Sequence, residues 1–129
     1  MDTFNILLLE DDLAFREAVT EELVEAGYHV TPVAGGTEAV ARIAEISYDL
    51  VIVDIFLKRG SGLGVLKALQ GSAAERRVVV LSNYATADMR RTCLQLGADR
   101  VFDKSNEIDA LVQYCHRLAT GETGPGVLA

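Results

Sequence analysis

Five residues scattered along this chain carry side chains that could do chemistry together: Glu10, Asp11, Asp54, Ser82 and Lys104. Three carboxylates at close quarters repel. Two unit charges ~4 Å apart interact by about 4 kcal/mol at an effective dielectric near 20. Such a cluster either raises a pKa or binds a cation. Hard oxygen ligands, few in number and with room for water, suit Mg²⁺ better than a caged Ca²⁺ or a thiolate-seeking Zn²⁺. A carboxylate beside such a cation can act as a nucleophile and become an acyl phosphate. The cation and a lysine then neutralise charge on the phosphoryl group, and a serine hydroxyl can donate to one of its oxygens.

These residues meet only if the elements before them bring them to one place. Asp54 stands near the end of the segment Asp49–Ile55, whose run Leu50–Val53 is apolar without alternation. That pattern predicts a short strand buried on both faces, as in a parallel sheet covered by helices. A lone ionised carboxylate there costs several kcal/mol unless it is paired, hydrated or metal-bound. Asn5–Leu9 predicts a first strand running into Glu10, Asp11 and Asp12. His29–Val33 predicts a second, near an edge because Pro32 cannot donate to a ladder. Arg77–Leu81 predicts a fourth, ending at Ser82, and Arg100–Asp103 a fifth, ending at Lys104.

Helices are expected between the strands. Phe15, Val19, Leu23 and Ala26 recur at helical spacing over 13–26, with Asp12 at the start and Gly27 as terminator. Thr37 is the candidate N-cap of a second helix with the stripe Ala39, Val40, Ile43 and Ala44. A third covers Gly62–Leu69, broken by Gly71 and Ser72. A fourth covers Ala85–Leu96, with Met89 and Cys93 as core and Gly97 as stop. Ser105 or Asn106 is expected to cap the last, with Ile108, Leu111, Val112, Cys115 and Leu118 inward and His116 on the surface. Strands alternating with helices call for right-handed βαβ crossovers and a three-layer α/β sandwich. In a parallel sheet the strand ends share one edge, which is where open α/β sheets place their ligands.

Composition sets bounds. The chain has 129 residues, half of them apolar, which predicts one domain with one real core. A formal net charge of −7 argues against direct nucleic-acid binding. The start, MDTFNILLLEDD, has no basic flank, and its apolar run is too short for a signal peptide or a membrane span. A cytoplasmic location is therefore expected. Cys93 and Cys115 read as core residues rather than a redox pair, and neither they nor His29 and His116 have metal-ligand spacing.

The runs LLLEDD, VIVDIFLKRGSG, VVLSNYA and VFDKS, in this order, resemble the signature segments of a bacterial response-regulator receiver domain, chemotaxis-regulator-like, over roughly residues 4–119. The resemblance implies a (βα)5 doubly wound, flavodoxin-like sandwich of strand order 2-1-3-4-5, with 120–129 as a flexible tail. Residue by residue, Asp54 matches the phosphorylated Asp. Glu10 and Asp11 match the acidic metal pair, and the Phe56 backbone carbonyl takes the third protein ligand position. Ser82 matches the family Ser/Thr, Lys104 the family Lys, and Gly62 the Gly after the phosphorylation site. Three positions depart from the pattern. Lys58 stands where a Pro is common, Ser105 where a cis-Pro is common, and Val101 where the switch is usually Tyr or Phe. Phe102 should point to the opposite face. Phe56 and Tyr84 occupy the positions that control access of water.

A receiver accepts a phosphoryl group from a sensor histidine kinase or histidine phosphotransfer protein, with Mg²⁺, and catalyses only its own phosphorylation and dephosphorylation. Its output is a changed protein–protein contact, or self-dimerisation, on the face of helix 4, strand 5 and helix 5. The stretch after residue 119 is too short for a DNA-binding domain, so the chain acts through other proteins or is a piece of a longer regulator. Two other readings compete. A phosphorylation-independent interaction module fits Val101 and Ser105, but not the intact acidic pair, Asp54 and Lys104. A hydrolase of the aspartyl-phosphate type needs a second carboxylate two residues after the nucleophile, where Phe56 stands. No Gly-rich phosphate loop follows the first strand, which argues against a nucleotide role. Each residue alone has a plainer reading: Asp54 as a loop cap, Ser82 as a helix N-cap, Lys104 as a solvated strand end. Lys58 and Arg59 read as a solvated loop pair.

Overall fold

The structure, a computed structural model, describes residues 3–57, 61–70 and 76–121. The expectations for Lys58, Arg59, Gly60, Gly71, Ser72 and the tail beyond residue 121 fall outside them. Among the described residues, five strands alternate with five helices. They are β1 (Asn5–Leu9), α1 (Leu13–Glu25), β2 (His29–Val33), α2 (Gly36–Glu45), β3 (Leu50–Asp54), α3 (Gly62–Leu69), β4 (Arg77–Ser82), α4 (Ala87–Gln95), β5 (Arg100–Asp103) and α5 (Ile108–Ala119). All pairings are parallel and the sheet order is β2-β1-β3-β4-β5.

The strict alternation of a strand divides the apolar residues into two cores. Leu7, Leu9, Val51, Val53, Val78, Val80 and Val101 face one layer, packed with Ala39, Val65, Leu66 and Cys93. Ile6, Leu8, Leu50, Ile52, Val79, Leu81 and Phe102 face the other, packed with Val19, Leu23, Leu111 and Cys115. Val101 and Phe102 thus face opposite layers, as expected. Phe102 lies against Tyr114 of α5, with ring centroids 5.8 Å apart. β2 is one of the two edge strands, consistent with Pro32. Gly27 and Gly97 end α1 and α4 at φ +100° and +102°, where a Cβ would be strained.

The caps differ from expectation at two helices. α2 starts two residues earlier than a Thr37 cap requires. Gly35 is its N-cap, without a side-chain bond, and Thr37 lies in the first turn. Val40 of its stripe is exposed. α5 is capped neither by Ser105 nor by Asn106. Its N-cap is Glu107, whose carboxylate is engaged elsewhere. Asp12 does cap α1, accepting from the Phe15 amide at 3.0 Å. Thr86 caps α4, which begins at Ala87 rather than Ala85.

Gly62 fixes the approach of α3 to β3. A Cβ there would lie 2.1 Å from the Asp54 carbonyl oxygen and 2.6 Å from Ile55 Cα. Both are backbone atoms and cannot swing away. Gly62→Ala is therefore expected to destabilise by roughly 3 kcal/mol or more and to displace the Asp54 segment. Thermal unfolding checks the first expectation; an unchanged Tm would contradict this packing.

Candidate functional site at the carboxyl edge of the sheet

β1 and β3 run side by side, and each releases an acidic residue at the same edge. Glu10 follows Leu9, and Asp54 is the last residue of β3. Glu10 is fully buried and Asp54 nearly so. The β4–β5 pairing, extended by the Lys104 amide donating to the Ser82 carbonyl at 3.0 Å, carries Lys104 to that edge. Its Nζ meets Asp54 Oδ2 at 3.1 Å and forms an ion pair with Glu10 Oε1. The Phe56 amide donates to Asp54 Oδ1 at 3.1 Å and the Asp12 amide to Glu10 Oε2 at 3.2 Å. One oxygen each of Glu10, Asp11 and Asp54 lie within 4.8 Å of one another. The cleft they share is about 240 Å³ and is completed by Asp12, Phe15, Phe56, Asn83 and Lys104.

Of the residues lining this cleft, Lys104 is the cation and four are carboxylates. Burial raises the Glu10 pKa, and its hydrogen bond with Asp54 raises it further. The result is about 7, against an ordinary 4.5, despite the opposing pull of Lys104. Burial pulls the Lys104 ammonium down, but Glu10 and Asp54 outweigh it, so its pKa ends raised. A carboxylate set this acidic, partly exposed through Asp11 and served by a single ammonium, fits a hard divalent cation.

Ser82 is buried, and its Oγ accepts from the Tyr84 amide at 3.0 Å. It stands beside the cleft rather than among its lining residues. Phe56 lines the mouth, and Tyr84 packs edge-on against it with centroids 5.3 Å apart. Val101 is buried in the core between the sheet and α4.

Sequence reasoning missed two contacts. Phe15, read there only as part of a core stripe, lies under the Lys104 ammonium, 4.8 Å from ring centroid to Nζ. Arg16 Nη1 donates to the Glu10 carbonyl at 2.8 Å and ties α1 to the end of β1. The spacing Glu10–Phe15–Arg16 carries the signal for both, since the first turn and a half of a helix following a strand folds back over that strand's end.

The fold and this edge define a class: doubly wound α/β domains with an acidic pocket at the carboxyl ends of parallel strands. Within that class the chain belongs to the response regulator receiver domain family, whose model matches residues 6–116. It is 31% identical over 124 residues to the nitrate/nitrite response regulator protein homolog of Haemophilus influenzae, covering 94% of this chain and 59% of that one. The chain spans about half the length of the curated relatives it matches. Its fold superposes on the Francisella response regulator 1452 receiver domain with TM-score 0.84, at 24% identity, covering 91% and 97% of the two chains. It also superposes on a Burkholderia pseudomallei response regulator with a phosphorylated aspartic acid, calcium ion and citrate. There the TM-score is 0.79 at 22% identity, with 95% and 74% covered.

Proposed function

We propose that this chain is a phosphoacceptor. A histidine kinase or histidine phosphotransfer protein donates a phosphoryl group to Asp54, and the change alters contacts with another protein. The observation that carries this reading is the direct contact of Lys104 Nζ with Asp54 Oδ2, fifty positions apart in the chain, beside two further carboxylates. In the transfer, an Asp54 carboxylate oxygen attacks phosphorus. The phosphorus–nitrogen bond to the donor imidazole breaks, and that nitrogen keeps the electron pair and takes up a proton. Glu10, Asp11, Asp54 and the Phe56 carbonyl would hold Mg²⁺, which supplies charge neutralisation at the phosphoryl oxygens. Lys104 supplies a second positive group, and the Ser82 hydroxyl is one strand away to donate. Hydrolysis of the acyl phosphate returns the carboxylate, so the domain modifies itself and turns over no separate substrate. The location is the cytoplasm, where such a donor resides; no helix among the described residues is long and apolar enough to cross a membrane.

Incubation with acetyl phosphate and Mg²⁺, followed by intact mass, tests this. One added phosphoryl group is expected. No adduct would favour the phosphorylation-independent interaction module, whose support is Val101 and Ser105. The edge-to-face pair of Phe56 and Tyr84 shields the phosphoryl site from attacking water. Phe56→Asn and Tyr84→Ala are each expected to speed phosphate release about tenfold, equivalent to ~1.4 kcal/mol of barrier. A phosphate-release time course unchanged in both variants would reject the shielding role.

A further inference from the structure

In this chain the family's aromatic switch position is a buried valine, so the link between Asp54 and the α4–β5–α5 face must be something else. Arg90, in the first turn of α4, makes three side-chain contacts across that face. Its Nε donates to the Ala85 carbonyl at 3.1 Å, its Nη1 to the Val101 carbonyl at 2.7 Å, and its Nη2 to Glu107 Oε1 at 2.8 Å. The same Glu107 oxygen accepts from the Asp103 amide at 2.8 Å. One guanidinium therefore joins the loop after β4, the middle of β5 and the start of α5.

The joined segments are those that flank the site. Ala85 lies three residues past Ser82, and the loop between them is folded by the Tyr84 amide on Ser82 Oγ and the Thr86 amide on the Tyr84 carbonyl. Asp103 immediately precedes Lys104. Glu107 is the N-cap residue of α5, yet its side chain makes no capping bond, because it is turned to Arg90 and Asp103. That engagement holds the Glu107 carboxyl below its ordinary pKa, with the Arg90 contact the main cause. A guanidinium is planar, with its donors in a fixed fork. It cannot follow two segments that move by different amounts. It either keeps its acceptors or exchanges them, which makes the arrangement two-state rather than graded.

We propose that the Arg90–Glu107 clamp is the switch element of this chain: it holds the unphosphorylated arrangement of the α4–β5–α5 face, and phosphorylation at Asp54 opens it by drawing Ser82 and Lys104 toward the phosphoryl oxygens. This rests on the phosphoacceptor reading. Arg90 is a positioning residue, because it touches neither Asp54 nor the cleft. The sequence marks the departure at Val101 but gives no sign of the arginine that bridges the loop after β4 to β5.

Hydrogen exchange by mass spectrometry on the whole chain, with and without acetyl phosphate and Mg²⁺, tests it, with intact mass reporting the adduct in the same samples. In the unmodified sequence, phosphorylation is expected to raise exchange several-fold in both 83–90 and 101–107. In Arg90→Ala, both segments are expected to exchange at that raised level before phosphorylation, with an adduct forming at least as fast. Glu107→Gln, which keeps an acceptor for the Asp103 amide but removes the charge, is expected to lie between, and it covers the case that Arg90→Ala folds poorly. An adduct with both segments unchanged, or with the same response in Arg90→Ala and Glu107→Gln as in the parent, would overturn the clamp alone. Absence of any adduct would overturn the phosphoacceptor reading and the clamp with it.

Discussion

Asp54→Asn is expected to take up no phosphoryl group from acetyl phosphate in the presence of Mg²⁺, while Asp49→Asn takes it up as the parent does. The two residues stand at opposite ends of one strand. Asp49 accepts from the Asn5 amide at 2.8 Å at the amino end, and Asp54 faces Lys104 at the carboxyl end. An asparagine at 54 keeps an oxygen for the Phe56 amide and nearly the same volume. It loses the anionic oxygen that, in the proposed function, attacks phosphorus. The substitution is not expected to unfold the domain, because Asp54 contributes to raising the pKa of buried Glu10. With that carboxylate gone, Glu10 and Lys104 remain as a one-to-one pair. A missing adduct in a variant that melts at or above the parent temperature is therefore a chemical loss. Intact mass and thermal unfolding on the same samples check both halves; an adduct on Asp54→Asn would refute the assignment.

The second large effect is on stability. Without divalent cations, the domain is expected to lose roughly 3 kcal/mol between pH 4.5 and pH 8 through Glu10 alone. The sign follows from the direction of its shift. Its folded pKa, about 7, lies above the ordinary 4.5. Between these values the folded state binds more proton than the unfolded chain, so stability is full below pH 4.5 and declines as pH rises through 7. Asp103 and Glu107, whose pKa values are lowered, act in the opposite sense but below their ordinary carboxylate range, outside this window. Mg²⁺ held by this cluster, as proposed, would compete with that proton for the same oxygens. At a hundredfold excess over its dissociation constant it stabilises by about 2.7 kcal/mol, so it should raise Tm strongly at pH 8 and little at pH 5. Glu10→Gln should flatten the decline. Melting curves across pH with and without Mg²⁺ decide it. A flat Tm without cation, or an equal Mg²⁺ effect at both pH values, would contradict the buried acidic pair.

Much of this was readable from residue order. Each of four strands ends on a residue with usable chemistry, and an uninterrupted apolar run such as Leu50–Val53 has one physical reading, a strand covered on both faces. That is enough to bring Glu10, Asp54 and Lys104 together. What escaped were contacts set by where a helix settles. The cap of α5 could not be read because Glu107 is claimed by an arginine on another helix. Thr37 had the right chemistry for a cap, but the chain turns at Gly35. Phe15 was legible as apolar, and its place beneath an ammonium depends on how α1 packs over β1.

The sheet's two open sides carry a last consequence. One is β2, five residues long and interrupted by Pro32; the other is β5, four residues long. A strand lacking one amide and a strand this short make poor templates for strand addition by a neighbouring copy. Fibril growth by edge pairing is disfavoured at both rims.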